Sequence, residues 1–249
     1  MPVSGDQLNG QLARQTGWLR ESWLWLLDTR LGIDNRTSMP RPTALDVGCG
    51  PGIVMDALSS YLNPSGVDID REMVLACRTR GFDAVCAPAE DLPFEDDSFD
   101  VVYCTYLLLW VKDPVKVVSE MKRVSKKWVL CLAEPDYGAR ISFPSEVAVL
   151  DKLLMEGIES EGGDPLIGRK LRSIFAACHL DAELGIHAGV WDIERLREES
   201  DDEWRHMEMT VNPRTDSKVL DSARRAWKMA LDNGDLFQFN PVFWAIGKK

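Results

Sequence analysis

The sequence predicts an α/β fold in which a mostly parallel sheet carries helices on both faces. Three observations predict it. Short apolar runs alternate with helical segments from Thr43 to Ala133. The first run ends in a loop with glycine at alternate positions, Gly48, Gly50 and Gly52. Outside this alternation, apolar residues recur at intervals of three, four or seven, the mark of amphipathic helices added to a sheet. Strand, helix, strand at this spacing implies right-handed crossovers and hence parallel pairing.

The elements follow in order. The first forty residues read as helix, with Ser4 or Asp6 available as a cap. Leu8, Leu12, Leu19, Trp23 and Leu26 share one face. Gly32 and the run from Asn35 to Pro40 end it. Strands are expected at Thr43–Val47, Gly66–Asp68, Ala84–Ala87, Phe99–Thr105 and Trp128–Ala133. Helices are expected at 52–61 (stopped by Asn63-Pro64), 71–80 and 115–124. Beyond Glu134 the pattern loosens. Helices are expected over 145–158 and 168–178, a strand over 182–190, and charged helices over 192–233 broken at Asn212-Pro213. The stretch 236–246 reads as a last strand. Segments 136–163 and 191–235 fall between sheet elements and read as helical cap insertions in a single domain spanning 1–249, with residues 43–135 as its core.

Composition narrows the function. The chain has 249 residues, 45% of them apolar, enough to bury a core without disulfides or metals. Forty acidic residues against 29 basic ones give a net charge of −11. Such a surface repels phosphate backbones, which disfavours nucleic acid as a partner. The longest apolar run, Val101 to Val111, is about half the ~20 residues of a membrane span and includes Thr105. The polar start MPVSGDQLNG lacks a signal core, so a cytoplasmic protein with no membrane partner is expected. Six scattered cysteines with no CxxC suggest free core thiols, and three histidines without ligand spacing suggest no metal.

The chemistry sits in Ala-Leu-Asp-Val-Gly-Cys-Gly-Pro-Gly-Ile-Val, residues 44–54. Three glycines let the backbone turn sharply and let a ligand approach without a Cβ in the way. Amides at the following helix start favour a carboxylate or phosphate. The spacing is G-x-G-x-G, not the dinucleotide G-x-G-x-x-G. Asp46, two residues before the first glycine, suits an ammonium and opposes a pyrophosphate. A ligand with an ammonium, a carboxylate and a ribose fits, and S-adenosylmethionine is one. In Gly66-Val67-Asp68-Ile69-Asp70, Asp68 can accept bonds from ribose hydroxyls and Ile69 can lie against adenine. A strand-end aspartate can equally be a solvated turn or a helix cap.

These motifs, with AEDLPFEDDSFDVV at 89–102 and Val111-Lys112-Asp113-Pro114, resemble the class I S-adenosylmethionine-dependent methyltransferases, of the small type-11-like kind. The resemblance covers about Thr43 to Pro135 and touches the last strand at 239–247. It implies a Rossmann-like seven-stranded sheet with an antiparallel last strand; the added helical segments, which start at strand ends, are expected to form a lid with the N-terminal helix. It implies S-adenosylmethionine as cofactor, with S-adenosylhomocysteine as product. Carried over by position, Asp46, Gly48, Cys49, Gly50 and Gly52 take the methionine end and Asp68 the ribose. Ile69, Ala89 and Glu90 border the adenine, and Cys104 and Thr105 lie near the sulfonium. Two departures stand out. Pro88 replaces the acid many relatives place before the Ala-Glu pair, and Leu109 replaces a histidine near the end of the helix after strand four.

Methyl transfer is an in-line displacement, accelerated mainly by holding the nucleophile aligned with the methyl. A base is needed only where the acceptor must lose a proton. Glu134 at the tip of strand five is the first choice for it, with Tyr106 second. Trp18, Trp110, Asp136 and Tyr137 are the expected acceptor residues. Bland alternatives remain for each: Tyr106 and Trp110 as helix packing, Glu134 and Asp136 as loop or cap residues. Nine tryptophans could wall an acceptor pocket or cement added helices. Arg169-Lys170 and Arg172 could hold an anion or form a solvated face. A small-molecule acceptor and a monomer or homodimer are expected. A protein side-chain acceptor and a non-catalytic binding or activating partner stay open beside them.

Overall fold

The computed structural model describes residues 5–36, 39–187, 192–211 and 215–249, with side chains described from residue 10. Ser4 and Trp191 therefore lie outside the described residues, as does the Asn212-Pro213 break, and the side chains of Asp6 and Leu8 are not described. The chain divides into two compact units. The first comprises Met1–Glu134, Lys170–Gly185 and Trp244–Lys249; the second comprises Pro135–Arg169 and Ile186–Phe243.

In the first unit, helix α1 (Gly5–Leu26) runs into a wider turn at Leu27–Leu31 and stops at Gly32, whose φ of 68° an L side chain resists. It thus ends well before Pro40. The core alternates as expected: β1 (Thr43–Val47), α2 (Ile53–Leu58), β2 (Asn63–Asp68), α3 (Arg71–Thr79), β3 (Ala84–Cys86), β4 (Phe99–Thr105), α4 (Pro114–Val124) and β5 (Ser125–Pro135). Local chemistry sets the helix starts. The Asp70 carboxylate accepts from the Glu72 amide at α3, and that of Asp113 from Lys116 at α4, where Pro114 loses nothing by lacking an N–H.

Asn63-Pro64 does not stop the preceding helix but opens β2, because α2 already ends at Leu58. Pro64 pairs with Ala44 of β1, while β2 meets β3 only from Gly66 onward. The missing N–H therefore falls where one side of the strand has no neighbour.

Four further elements complete the sequence up to the last strands: β6 (Ile141–Phe143), α5 (Ser145–Ser160), α6 (Ile167–Ala177) and β7 (Ala182–Ile186). Then come α7 (Ile193–Glu198), α8 (Ser200–Thr210), α9 (Ser217–Asn233), β8 (Phe237–Phe239) and β9 (Val242–Lys248). The stretch expected as one last strand is two. Beta-strand β8 pairs antiparallel with β6 in a separate ribbon, and β9 joins the main sheet.

The main sheet has the order β3-β2-β1-β4-β5-β9-β7. Pairs from β3 through β5 are parallel. The Lys249 amide donates to the Lys127 carbonyl (2.9 Å), joining the end of β9 to the start of β5, so β9 runs antiparallel. Central strands have both faces covered and read as apolar runs: Val101, Val102, Val129 and Leu130 are buried.

The second unit packs α5, α7, α8 and α9 around Leu150, Leu154, Leu196, Met207 and Leu231. Trp204 and Trp227 are buried there with ring centroids 6.3 Å apart, so these two serve packing.

Gly185 of β7 lies under the Trp244 indole, which fills the space a Cβ would need. Gly185→Ala is expected to cost about 1–3 kcal/mol of stability through overpacking. At about 2–4 °C per kcal/mol for a chain of this size, a thermal melt resolves it. An unchanged melting temperature would refute the packing assignment.

Candidate cofactor and active site

The glycine loop needs glycine for two distinct reasons. Gly48, Gly50 and Gly52 have φ of 75°, 51° and 84°, in the left-handed region. A Cβ on Gly48 would also lie 2.8 Å from Leu107 Cδ1. Beta-strand β2 holds the loop. The Gly48 and Cys49 amides both donate to the Val67 carbonyl (2.8 and 3.0 Å). The Gly50 amide donates to Asp68 Oδ2 (2.8 Å), and the Asp70 amide to Asp68 Oδ1 (2.8 Å). Asp68 is thus aimed by two backbone donors. Cys49 packs its sulfur on Gly66, where an added Cβ would meet it at 2.6 Å. From the N-terminal helix, Leu12 comes within 3.8 Å of the Gly50 Cβ position.

Asp46 is buried, and neither carboxylate oxygen has a hydrogen-bond partner. Burial pushes its pKa well above the usual value, and the neighbouring Cys77 and Asp68 add to this. The Tyr103 hydroxyl, which faces the carboxyl but lies outside hydrogen-bond geometry, pulls the other way. Tyr103 is its register partner in β4. Sequence reading missed Tyr103, although counting back from the tip of strand four would have aligned it with Asp46. An unpaired buried carboxylate is costly. A cation delivered to it offsets that cost, so the site fits an ammonium. Ile69 is 74% exposed, an apolar side chain left in solvent at the tip of β2 where a flat ring could cover it. Ala89 and Glu90 are half-buried, after a turn in which the Ala87 amide donates to the Asp68 carbonyl (3.1 Å).

At the tips of β4 and β5 the structure gathers several expected residues. Cys104 is fully buried, with its sulfur 3.6 Å from Cys131 and 3.9 Å from Glu134 Oε1. Thr105 is half-buried. Tyr106 adopts φ 51°, strained for a tyrosine, and its amide donates to the Ala133 carbonyl (2.7 Å). Glu134 is fully buried. Its Oε1 accepts the amides of Leu107 and Leu108 (3.1 and 3.0 Å), while Oε2 has no hydrogen-bond partner. Glu134 therefore anchors the turn that carries Leu107, which in turn fills the space over Gly48. Trp110 is about half exposed. Trp18 is half-buried on α1, and the indole of its neighbour Trp23 donates to the Leu132 carbonyl (3.2 Å).

Asp136 and Tyr137 belong to the second unit. Asp136 is buried and takes a bidentate bond from Arg169 (2.6 and 2.8 Å). Its amide donates to the Pro241 carbonyl (3.0 Å). Both its oxygens are thus engaged in a clasp, and Arg169 is spent on it rather than on an anion. Tyr137 packs against the helical core of its unit.

Residues 45–132 match the model of a family described as a methyltransferase domain. The match takes in the glycine loop, Asp68 and the strands from β1 to β5, about a third of the chain, so this segment is similar to methyltransferase domains. Relatives differ in what they are known to do. An uncharacterized 37.1 kDa protein of a Streptomyces fradiae transposon is 32% identical over 157 residues, covering 56% of this chain and 43% of that protein. A ubiquinone biosynthesis O-methyltransferase of Hahella chejuensis is 32% identical over 102 residues, covering 38% and 43%. The chain spans less than half the length of these two relatives. A candidate methyltransferase of an antibiotic biosynthesis pathway from Anabaena variabilis has the same fold, with TM-score 0.63 and 13% identity over 89% of this chain and 96% of that one.

Burial raises the Glu134 pKa from 4.5 to about 7, against the pull of the turn amides. The folded carboxyl keeps its proton where the unfolded one has lost it. Stability therefore falls as pH rises between these values. Glu134→Gln, which keeps an acceptor for both amides, is expected to remove that fall. Its stability relative to the parent should improve by on the order of 3 kcal/mol from pH 4.5 to pH 8. Parallel pH profiles in denaturant titrations would show that another group governs this window.

Proposed function

We propose that the chain transfers a methyl group from S-adenosylmethionine to a small-molecule acceptor. The observation that carries this reading is the buried, unpartnered Asp46 carboxylate beside a left-handed glycine loop tied to Asp68. Asp46 would take the ammonium of the cofactor, Asp68 its ribose hydroxyls, and Ile69 would cover the adenine. When bound, the cofactor supplies an electrophilic methyl on a sulfonium with a good leaving group. The residues of the chain then have to position an acceptor and exclude water, which is where most of the acceleration lies.

Glu134 is better suited to positioning than to proton transfer, because Oε1 is committed to the turn amides. Oε2 is the atom that could still take a proton. Tyr106, strained at the tip of β4, is the side chain we place against the acceptor. A small acceptor is supported by the acidic surface, which disfavours nucleic acid, and by the small-molecule pathway of the Hahella relative. Six free cysteines suit a reducing cytoplasm, and among the described residues no helix is long and apolar enough to cross a membrane.

Calorimetric titration with S-adenosylhomocysteine, with NAD as control, tests the cofactor site. Saturable binding of the former alone is expected, and binding of NAD alone, or of neither ligand, would overturn the reading. Asp46→Asn should weaken S-adenosylhomocysteine binding by about 1–3 kcal/mol through loss of a charge-assisted bond. The same variant should melt no lower than the parent, since it replaces a buried acid that has no hydrogen-bond partner by an amide of nearly the same shape. Unchanged affinity would remove Asp46 from the site.

A further inference from the structure

The small ribbon of the second unit is inside out. Beta-strands β6 and β8 pair antiparallel, Ile141 with Phe239, Ser142 with Gln238, and Phe143 with Phe237. Alternate side chains of a strand share a face. Ile141, Phe143 and Phe237 form the apolar face, and they are 57%, 55% and 36% exposed. The opposite face is polar: Ser142 and Gln238, then Arg140 and Asn240 one step beyond the paired residues. An antiparallel ribbon normally does the reverse.

The polar face is half-buried around a fully buried Gln238 and only partly satisfied. Arg140 Nε and Ser142 Oγ both donate to Asp151 Oδ1 of α5 (2.9 and 2.8 Å), which shows that they point the same way. Gln238 is fully buried, and neither end of its amide has a partner. Arg140 Nη2 and Asn240 Oδ1 are likewise buried without one. Buried polar atoms in folded proteins are nearly always paired. A cluster of this kind on one face of one ribbon calls for a molecule that pairs them.

We propose that this face is a ligand site for a neutral molecule with a cis-amide edge, such as a lactam or a ureide. The Gln238 amide presents an N–H donor and a carbonyl acceptor side by side, and its complement is a carbonyl beside an N–H. Arg140 Nη2 adds a donor and Asn240 Oδ1 an acceptor. The Arg140 charge is already balanced by Asp151, so the ligand need bring none. The site belongs to the second unit alone and does not depend on the methyl-transfer reading.

The test uses the full chain and uracil as probe, followed by saturation-transfer NMR. Uracil should bind saturably, and its doubly N-methylated derivative, which lacks the N–H, should not. Gln238→Met, close in volume, should weaken uracil binding at least about tenfold and leave S-adenosylhomocysteine binding unchanged. Asn240→Ala should weaken it as well, and serves if the Met variant does not fold. Absence of uracil binding would overturn the proposal. So would equal binding of the methylated derivative, or an affinity indifferent to both substitutions. Uracil binding in a chain that fails to bind S-adenosylhomocysteine would keep this site and overturn the cofactor reading alone.

Discussion

The cofactor site depends on one constraint: the backbone from Gly48 to Gly52 must reverse within five residues and stay attached to β2. Three left-handed glycines permit the reversal, and three amide bonds hold it, those of Gly48 and Cys49 to the Val67 carbonyl and that of Gly50 to the Asp68 carboxylate, which the Asp70 amide orients. Each partner explains a neighbour. The loop lies low enough for Cys49 to rest on Gly66, so no Cβ fits there. Gly48 lies close enough to the β4 tip for Leu107 to fill the space above it. The Leu107 position is set in turn by Glu134, whose Oε1 accepts from the 107 and 108 amides. Backbone donors thereby tie the β1 loop to β2 and the β4 turn to β5, and the Leu107 side chain packs one pair against the other.

Two buried carboxylates sit in this linked region and are treated differently. Glu134 is held by amides on one oxygen, which makes it an internal part of the fold. Asp46 receives no hydrogen bond on either oxygen. Both are pushed toward the neutral form by burial. A protein gains nothing in stability from an unpaired buried acid, so the asymmetry is itself informative. The acid with partners serves the fold, and the acid without them is the one left for a ligand.

Much of this architecture is legible in the amino-acid sequence. The alternation of apolar runs announces the parallel sheet, since strands buried on both faces must be apolar throughout. The loop glycines are legible because their left-handed backbone tolerates few other residues, and Asp68 because it is an acid at a strand tip. Less legible is whatever depends on contacts between distant segments. That Glu134 spends Oε1 on the turn at 107–108 cannot be read from Glu-Pro-Asp. That Asp136 is clasped by Arg169, 33 positions away, has no local signal. The ribbon of β6 and β8 escapes notice because each strand is only three residues long and its outward residues are apolar, so period-two patterning points to the wrong face. Pro64 misleads for a similar reason: proline reads locally as a stop, and only the strand order reveals that one side of β2 is unoccupied there.

The geometry of Asp68 bears on how the site can bind without rearranging. Its two oxygens accept the Gly50 and Asp70 amides. An ionised carboxylate offers about four lone-pair sites, so two stay free for ligand hydroxyls. The amides orient the group before any ligand arrives, and the rotamer entropy is lost on folding rather than on binding. The arrangement also couples the two ends of the ligand. A bond to Asp68 at the ribose end is transmitted through the Gly50 amide to the loop that would hold the methionine end. A substituent at residue 68 that merely accepts a hydrogen bond, without charge and without both oxygens, would loosen that loop as well as the ribose contact. On the proposed reading the acid at the tip of β2 would tie together the two halves of one binding surface, since the amide it accepts belongs to the loop and its free lone pairs face the ribose.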